Sequence, residues 1–381
     1  MAPKLTVYFI VEPPEYQVMA CYLAASLRAN YGDTVALVGY CPVHKLDLVH
    51  RQVKLALAKL NCDLRGMVTE GRFDPAYPHG NKILATLEPR DTEFSCFMDS
   101  DILTLRPNLV DNIVKKGCVS LTPAASMGWA KQSVWPAIYA AAEVSMPTER
   151  IRLMKQKKGG GRLPYFSSGL FSFPEQYRTP DGKSFPQVWM DVAQALDAAD
   201  LPAKRPYLDQ MSLPLAIQKS GLQWNLLPDA QHFILGGKAR GEPLPTDRDI
   251  YAVHYRQWAL IKELGLTAYA KQVLFAHAGI KKVALADEAD PDPKSLRRTE
   301  KQLARREQAP VSDEPLTPSD KASAKAARKA RKLARIEPAI ASVDLGRQAD
   351  EAAAKAARKA RNLDRAHKKA AAPEAKSEAA E

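Results

Sequence analysis

The chain has 381 residues, of which 46% are hydrophobic and 26% charged, a composition typical of globular rather than disordered proteins. This length exceeds what one small core needs, so we expect one large domain with an appendage, or two domains. The apolar run Leu5–Val11 is too short to span a bilayer, and the charged segment Glu12-Pro13-Pro14-Glu15 follows it in place of a signal-peptide cleavage site. These features predict a cytoplasmic protein.

Cysteine usage agrees with that compartment. The five cysteines are odd in number, widely spaced and without a Cys-x-x-Cys pair, which argues against disulfides, zinc and a redox couple. Small buried hydrophobic side chains are the role that we expect for them.

The positive charge is concentrated near the end of the chain. The net charge is +12, and residues 281–381 contain 24 Lys and Arg against 17 Asp and Glu, while residues 1–280 contain 31 against 26. More than half of the excess therefore lies in the last quarter. This distribution indicates a basic appendage rather than a basic enzyme body.

Short apolar runs alternate with helical patterns up to Pro107. Strands are predicted at Leu5–Val11, Thr34–Tyr40, Arg65–Thr69 and Phe94–Met98, and helices at Gln17–Asn30, Lys45–Leu60 and Asn81–Leu87. This β-α-β-α order predicts an α/β fold in three layers, with a mostly parallel sheet and flanking helices. The carboxyl ends of the strands then border one crevice, where such folds bind ligands.

After Pro107 the pattern is mixed. Helices are predicted at Val134–Val144, Phe185–Leu196, Asp209–Ser220 and Thr267–Ala278, and strands at Tyr165–Phe173 and Ile250–Tyr255. We therefore assign residues 1–286 to a single α/β domain.

Residues 287–381 are predicted to be a linker and tail rich in Ala, Lys and Arg, partly helical or disordered. Residues 325–331 recur unchanged as residues 355–361. Two copies with so few large apolar residues cannot stack into a solenoid, and isolated basic helices of this kind are marginally stable. We expect weak contact of the tail with an anionic membrane or polymer, which would place the protein peripherally at the inner face of the membrane.

The predicted strand Phe94–Met98 runs directly into Asp99-Ser100-Asp101. In an extended chain, residues i and i+2 point to the same side, so the two carboxylates converge and repel each other unless a cation lies between them. Oxygen ligands with open positions suit Mg²⁺ or Mn²⁺, with a substrate diphosphate completing the coordination. An isolated Asp-x-Asp is a solvated turn, but after an apolar strand of an α/β chain it predicts a metal site.

The run from Lys82 to Asp101 resembles the metal-binding core of GT-A fold glycosyltransferases, and most of all the glycogenin and bacterial galactosyltransferase group, family eight. Further similarities follow in the same order along residues 5–258. They are the helix after Tyr16, the strand Tyr165–Phe173, the pair Asp209-Gln210 and the segment Val253-His254-Tyr255. Two departures are Ser167, where the family has asparagine, and the segment after His254, which lacks the family's glycine and lysine.

The resemblance implies metal-dependent transfer of a sugar from a nucleoside diphosphate sugar, a UDP-sugar in this group, to a glycan, lipid or protein acceptor. It implies Mn²⁺ or Mg²⁺ bound by Asp99, Asp101 and His254, and catalytic roles for Asp209 and Gln210. The residues that it implies for nucleotide-sugar binding are Val11, Tyr16, Lys82, Asp99, Ser100, Ser168 and Gly169.

Several of these residues have structural alternatives. Tyr16 could be an aromatic residue at a rim, His254 a histidine at a strand end, Lys82 a surface lysine, and Asp209 a helix cap. His232 shows no pattern that favours more than packing.

Two other functions compete with sugar transfer. A nucleotidyltransferase would carry a loop rich in glycine and arginine after its first strand, where this chain has Glu12-Pro13-Pro14-Glu15. A protein that binds nucleic acid or an anionic surface through its basic tail, on an inactive GT-A scaffold, is the second alternative. The tail contains no aromatic residue for base stacking, so we expect no specific nucleic-acid partner.

Overall fold

The computed structural model describes residues 3–127, 132–156, 158–202, 204–235 and 243–283. All of these belong to one compact unit, Met1–Asp287. The predicted tail, with both copies of its repeat, lies outside the described residues.

Among the described residues, ten strands form two sheets. They are β1 (Leu5–Ile10), β2 (Val35–Pro42), β3 (Cys62–Met67), β4 (Phe94–Met98), β5 (Ile102–Thr104), β6 (Cys118–Pro123), β7 (Phe166–Pro174), β8 (Gln223–Leu226), β9 (Phe233–Ile234) and β10 (Ala252–His254). The larger sheet has the order β3-β2-β1-β4-β7-β6-β8. Its pairs are parallel except that β7 runs antiparallel to both β4 and β6. The predicted mostly parallel sheet is therefore confirmed.

Helices pack on both faces of this sheet. They are α1 (Tyr16–Tyr31), α2 (Arg51–Lys59), α3 (Asn81–Leu87), α4 (Trp135–Ala141), α5 (Phe185–Ala198), α6 (Lys204–Ser220), α7 (Trp258–Glu263) and α8 (Thr267–Ala278). Val7 and Phe9 of β1 belong to one hydrophobic cluster with α1, α2 and α8, whereas Tyr8 belongs to a second cluster with α3, α5 and α6. Because successive residues of a strand face opposite sides, these clusters are the two interfaces of a three-layer α/β fold.

The smaller sheet has the order β5-β10-β9 and positions the end of the domain beside β4. Strand β10 pairs antiparallel with β5, so that His254 lies opposite Ile102. The N–H of Tyr255 also donates to the carbonyl of Asp101, at 2.9 Å. This pairing brings His254 next to the segment Asp99-Ser100-Asp101.

Some element boundaries differ from the sequence prediction. Helix α2 begins at Arg51 rather than Lys45, because the ring of His50 caps it by accepting from the N–H of Gln52 at 3.1 Å. Strands β5, β6, β8 and β9 and helix α7 were not predicted. The five cysteines are buried and unpaired, as expected.

Candidate active site

A cleft of about 390 Å³ opens at the carboxyl ends of β1, β4 and β10. Residues from α3 and α6 complete its walls. The lining residues are Ile10, Glu12, Tyr16, Pro78, His79, Lys82, Asp99, Ser100, Asp101, Pro206, Tyr207, Asp209, Gln210, His254 and Arg256. The cleft is thus the crevice that the strand order predicts as the ligand site.

Asp99, Asp101 and His254 meet inside the cleft. Nε2 of His254 lies 3.2 Å from Oδ1 of Asp101 and 3.8 Å from Oδ2 of Asp99. Each residue offers one ligand atom, and these atoms all lie within 4.8 Å of one another. Burial raises the pKa of Asp101, but His254, a backbone N–H and Lys82 together lower it, and the net shift is downward, so that the carboxyl is ionised at neutral pH. Two carboxylates and an imidazole at this spacing fit a divalent cation such as Mn²⁺.

Lys82 lies between two of the acidic residues. Its Nζ donates to both carboxylate oxygens of Asp99, at 2.9 and 3.2 Å, and lies 3.4 Å from Oδ2 of Asp209. Burial lowers the pKa of Lys82, whereas the charges of Asp99 and Asp209 raise it, and the net change is upward. The side chain is therefore a fixed cation in the cleft wall.

Asp209 and Gln210 lie near the start of α6. Arg205 and Pro206 have non-helical backbone angles, so Asp209 is in the first turn of the regular helix. The family resemblance implies such a place for the pair Asp209-Gln210. The carboxylate of Asp209 accepts from Tyr77 at 2.9 Å and from the hydroxyl of Ser168 at 2.5 Å. Oε1 of Gln210 accepts from the hydroxyl of Tyr165 at 2.8 Å.

Ser168 and Gly169 lie directly behind the cleft wall. The hydroxyl of Ser168 lies 3.3 Å from Nζ of Lys82, and the carbonyl of Gly169 accepts from the N–H of Asp99 at 2.8 Å. Strand β7 therefore orients Asp99 and Lys82 through these two residues.

The remaining predicted nucleotide-binding residues differ in their surroundings. Tyr16 is 47% exposed and lines the cleft. Ser100 also lines it and donates its hydroxyl to the carbonyl of Ile10. The side chain of Val11 instead lies in the hydrophobic core, outside the cleft lining, because the N–H of Val11 extends the β1–β2 pairing to the carbonyl of Tyr40 at 2.8 Å. Any contact of Val11 with a nucleotide would therefore involve its backbone.

The sequence profile of the Rhodobacterales glycosyltransferase domain matches residues 7–221, which is more than half of the chain. The chain belongs to this family. The predicted enzyme class is therefore confirmed, and a glycosyltransferase implies a sugar donor, typically a nucleotide sugar, and an acceptor.

Two solved structures are similar to the chain at low sequence identity. Galactosyltransferase LgtC, in complex with donor and acceptor sugar analogs, is 12% identical over 74% of this chain and 98% of that chain, with a TM-score of 0.45. Mouse xyloside xylosyltransferase 1, in its apo form, is 11% identical over 66% of this chain and 97% of that chain, with a TM-score of 0.42. No curated protein matches the chain in sequence. At this distance the substrate does not follow from the similarity.

His232 and Thr122 of the glycosyltransferase contact the site although sequence patterns gave no indication of them. Nε2 of His232 lies 3.0 Å from Nδ1 of His254, and Nδ1 of His232 lies 3.0 Å from the hydroxyl of Thr122. Burial, and then the nearby His254, lower the pKa of His232 well below its usual value. His232 is therefore neutral at physiological pH, and only the tertiary structure brings it to His254.

The cleft of the glycosyltransferase has an excess of acidic side chains. Its charged lining residues are Glu12, Asp99, Asp101, Asp209, Lys82 and Arg256. Lys82 is already paired with two carboxylates, whereas Arg256 is exposed and takes a left-handed backbone conformation with φ 56°. Glu12 is itself paired with Lys45, so an anionic ligand would meet the carboxylates of Asp99, Asp101 and Asp209 here against Lys82 and Arg256. A bound cation would offset this excess of negative charge.

Proposed function

We propose that this glycosyltransferase binds a nucleoside diphosphate sugar, with UDP as the favoured nucleotide, together with Mn²⁺ or Mg²⁺. The sugar would pass to a glycan, lipid or protein acceptor. The cluster of Asp99, Asp101 and His254 carries this proposal, because it combines hard oxygen ligands with an imidazole in a cleft whose lining has more carboxylates than cations. The same cluster supports the roles that the resemblance implied for these residues.

Each part of the cleft would have a defined task in the transfer. Breaking the bond between sugar and diphosphate leaves negative charge on the leaving group, and a cation held by Asp99, Asp101 and His254 would neutralise part of it. Lys82 keeps Asp99 in place, and the exposed guanidinium of Arg256 can approach the phosphates.

The sugar and the base would lie at opposite ends of the cleft. We propose that Asp209 and Gln210 contact the transferred sugar, since both line the cleft and are oriented by Ser168 and Tyr165. Tyr16 has an exposed ring at the cleft and would stack on the base.

Thermal unfolding with and without Mn²⁺ tests the proposal. A ligand present at 100 times its Kd stabilises a protein by about 2.7 kcal/mol, which raises the melting temperature measurably. We expect UDP to raise it only when Mn²⁺ is present, and Asp101→Asn to abolish this increase. Asp111→Asn, which changes a largely exposed aspartate paired with Lys4, is the matched control. Equal stabilisation by UDP with and without metal would contradict the proposal.

Product analysis separates sugar transfer from the nucleotidyltransferase alternative. A glycosyltransferase releases a nucleoside diphosphate from a nucleotide sugar, whereas a nucleotidyltransferase releases pyrophosphate from a nucleoside triphosphate. The family assignment supports the first outcome. Release of pyrophosphate from UTP would support the second.

A further inference from the structure

The imidazole of His254 has a second neighbour on the side opposite the carboxylates. Its Nδ1 lies 3.0 Å from Nε2 of His232, whose Nδ1 lies in turn 3.0 Å from Oγ1 of Thr122. His232 and Thr122 are completely buried, and the two rings stack with their centroids 5.1 Å apart. Three side chains thus form one line of hydrogen bonds from the smaller sheet to β6 of the larger sheet.

Hydrogen-bond complementarity couples the proton positions along this line. A neutral imidazole has one N–H and one lone pair, so each of the two hydrogen bonds needs a donor on one side and an acceptor on the other. When Nε2 of His254 carries the proton, it faces Oδ1 of Asp101 at 3.2 Å, and Nδ1 accepts from His232. His232 then accepts at its own Nδ1 from the hydroxyl of Thr122.

The opposite arrangement leaves Nε2 of His254 free to bind a cation. His254 then carries its proton on Nδ1 and donates it to Nε2 of His232, and His232 donates from Nδ1 to the oxygen of Thr122. A hydroxyl both donates and accepts, so Thr122 satisfies the end of the line in either arrangement. A side chain with only one of these capacities would satisfy one arrangement and leave a buried polar atom unpaired in the other.

We propose that His232 and Thr122 are positioning residues for His254. They allow the proton of His254 to move from Nε2 to Nδ1 when a divalent cation binds, which leaves the lone pair of Nε2 free for the cation. Both rings change tautomer together, and both ring nitrogens of His232 keep a hydrogen-bond partner. The inference rests on the proposed function, since it assumes that Asp99, Asp101 and His254 bind the cation. It gives a role in cation binding to His232 and Thr122, which are buried and do not contact the cation themselves.

Variants of Thr122 in the full-length chain test this role. Thr122→Val keeps the shape of the side chain and removes the hydroxyl, whereas Thr122→Ser keeps the hydroxyl. Titration with Mn²⁺, followed by the electron paramagnetic resonance signal of the free ion, gives the Kd. We expect Thr122→Val to weaken Mn²⁺ binding about 10-fold, at the lower end of the range for groups that orient a metal ligand, and Thr122→Ser to restore it. Equal affinities for the two variants would overturn the proposal.

A measurement on the unmodified chain needs no variant. The ¹⁵N chemical shifts of labelled histidine rings report which nitrogen carries the proton. Addition of Mg²⁺ should place the proton of both His232 and His254 on Nδ1. A His232 ring that does not respond to Mg²⁺ while His254 does would overturn the coupled change, even if Thr122→Val failed to fold.

The outcomes separate this inference from the proposed function. If neither Mn²⁺ nor Mg²⁺ binds the unmodified chain, the metal-dependent function and the positioning role both fail. If the cation binds and the Thr122 variants bind it equally well, only the positioning role fails.

Discussion

Gly169 shows how closely the backbone of β7 approaches the proposed metal ligands. A β carbon at this position would lie 2.8 Å from Oδ2 of Asp99 and 2.9 Å from both Cε1 and Nδ1 of His254. Since ordinary contacts begin near 3.4 Å, Gly169→Ala requires both Asp99 and His254, or the backbone of β7, to shift. We expect this variant to weaken Mn²⁺ binding on the order of 10-fold or more, measured by titration with the ion.

The control for Gly169→Ala is Gly160→Ala. A β carbon at Gly160 would meet no atom within 4 Å, and its backbone does not take the left-handed conformation that favours glycine. This variant should bind Mn²⁺ like the unmodified chain. If Gly169→Ala binds Mn²⁺ as tightly as Gly160→Ala, cation binding does not depend on the present positions of Asp99 and His254.

Lys82 is expected to stabilise the fold through charge. Lys82→Met would remove the cation between Asp99 and Asp209 and leave the charge of a buried and of a half-buried carboxylate uncompensated by Lys82. Breaking a buried ion pair costs about 3 kcal/mol of unfolding free energy, which urea denaturation measures. Lys183→Met, which breaks the half-exposed pair with Asp191, should have no measurable effect. Equal midpoints for the two variants would contradict this prediction.

Individual site residues were predictable to different degrees. Asp99 and Asp101 follow from the sequence alone, because a buried strand ends there and its alternation brings the carboxylates together. His254 required the resemblance to a family, since its approach depends on the pairing of β5 with β10. His232 and Thr122 carry no spacing signal, because their hydrogen bonds join segments that only the tertiary structure brings together.

At the scale of elements, α5 owes its start to a capping box. The hydroxyl of Ser184 accepts from the N–H of Gln187, whose side chain accepts from the N–H of Ser184 in return. Ser184→Ala should lower the free energy of unfolding by about 1 kcal/mol, measured by urea denaturation. Ser184→Asp should retain most of the stability, since aspartate is also a preferred N-cap. A Ser184→Ala variant as stable as the parent would show that tertiary contacts alone fix this end.

Elements with strong patterns were predicted closely, and polar or very short ones were not. Asn81–Leu87, Phe94–Met98 and Thr267–Ala278 have the predicted bounds. Strand β6 was not predicted because Ser120 and Thr122, which are buried, interrupt its run of apolar residues. Their partners, Asn225 and His232, lie more than 100 residues away in sequence. Strands β5 and β9, with three and two residues, are too short to show a period.

At the scale of the whole molecule, we expect the basic tail to be a segment apart from the glycosyltransferase domain. Within the described ranges, no helix is long and apolar enough to cross a membrane. We propose that residues 287–381 form a separate segment that attaches the enzyme weakly to an anionic surface, as their excess of Lys and Arg suggests.

Truncation of the tail tests this proposal. A chain that ends at Ala286 should unfold at the same temperature and bind UDP with Mn²⁺ unchanged. It should no longer sediment with vesicles that contain phosphatidylserine at low salt. Loss of cooperative unfolding would show that the tail belongs to the core, and unchanged sedimentation would exclude the attachment role.

The pairing of β5 with β10 links cation binding to the rate at which proteases cleave the protein. A cation shared by Asp101 and His254 would join two parts of the folded chain that lie about 150 residues apart in sequence, and a ligand that binds only the folded state lowers the population of unfolded chains by mass action. Saturation with Mn²⁺ should therefore slow cleavage by a non-specific protease, and a chelator should reverse the protection. Availability of the ion would then control the lifetime of the enzyme as well as its turnover.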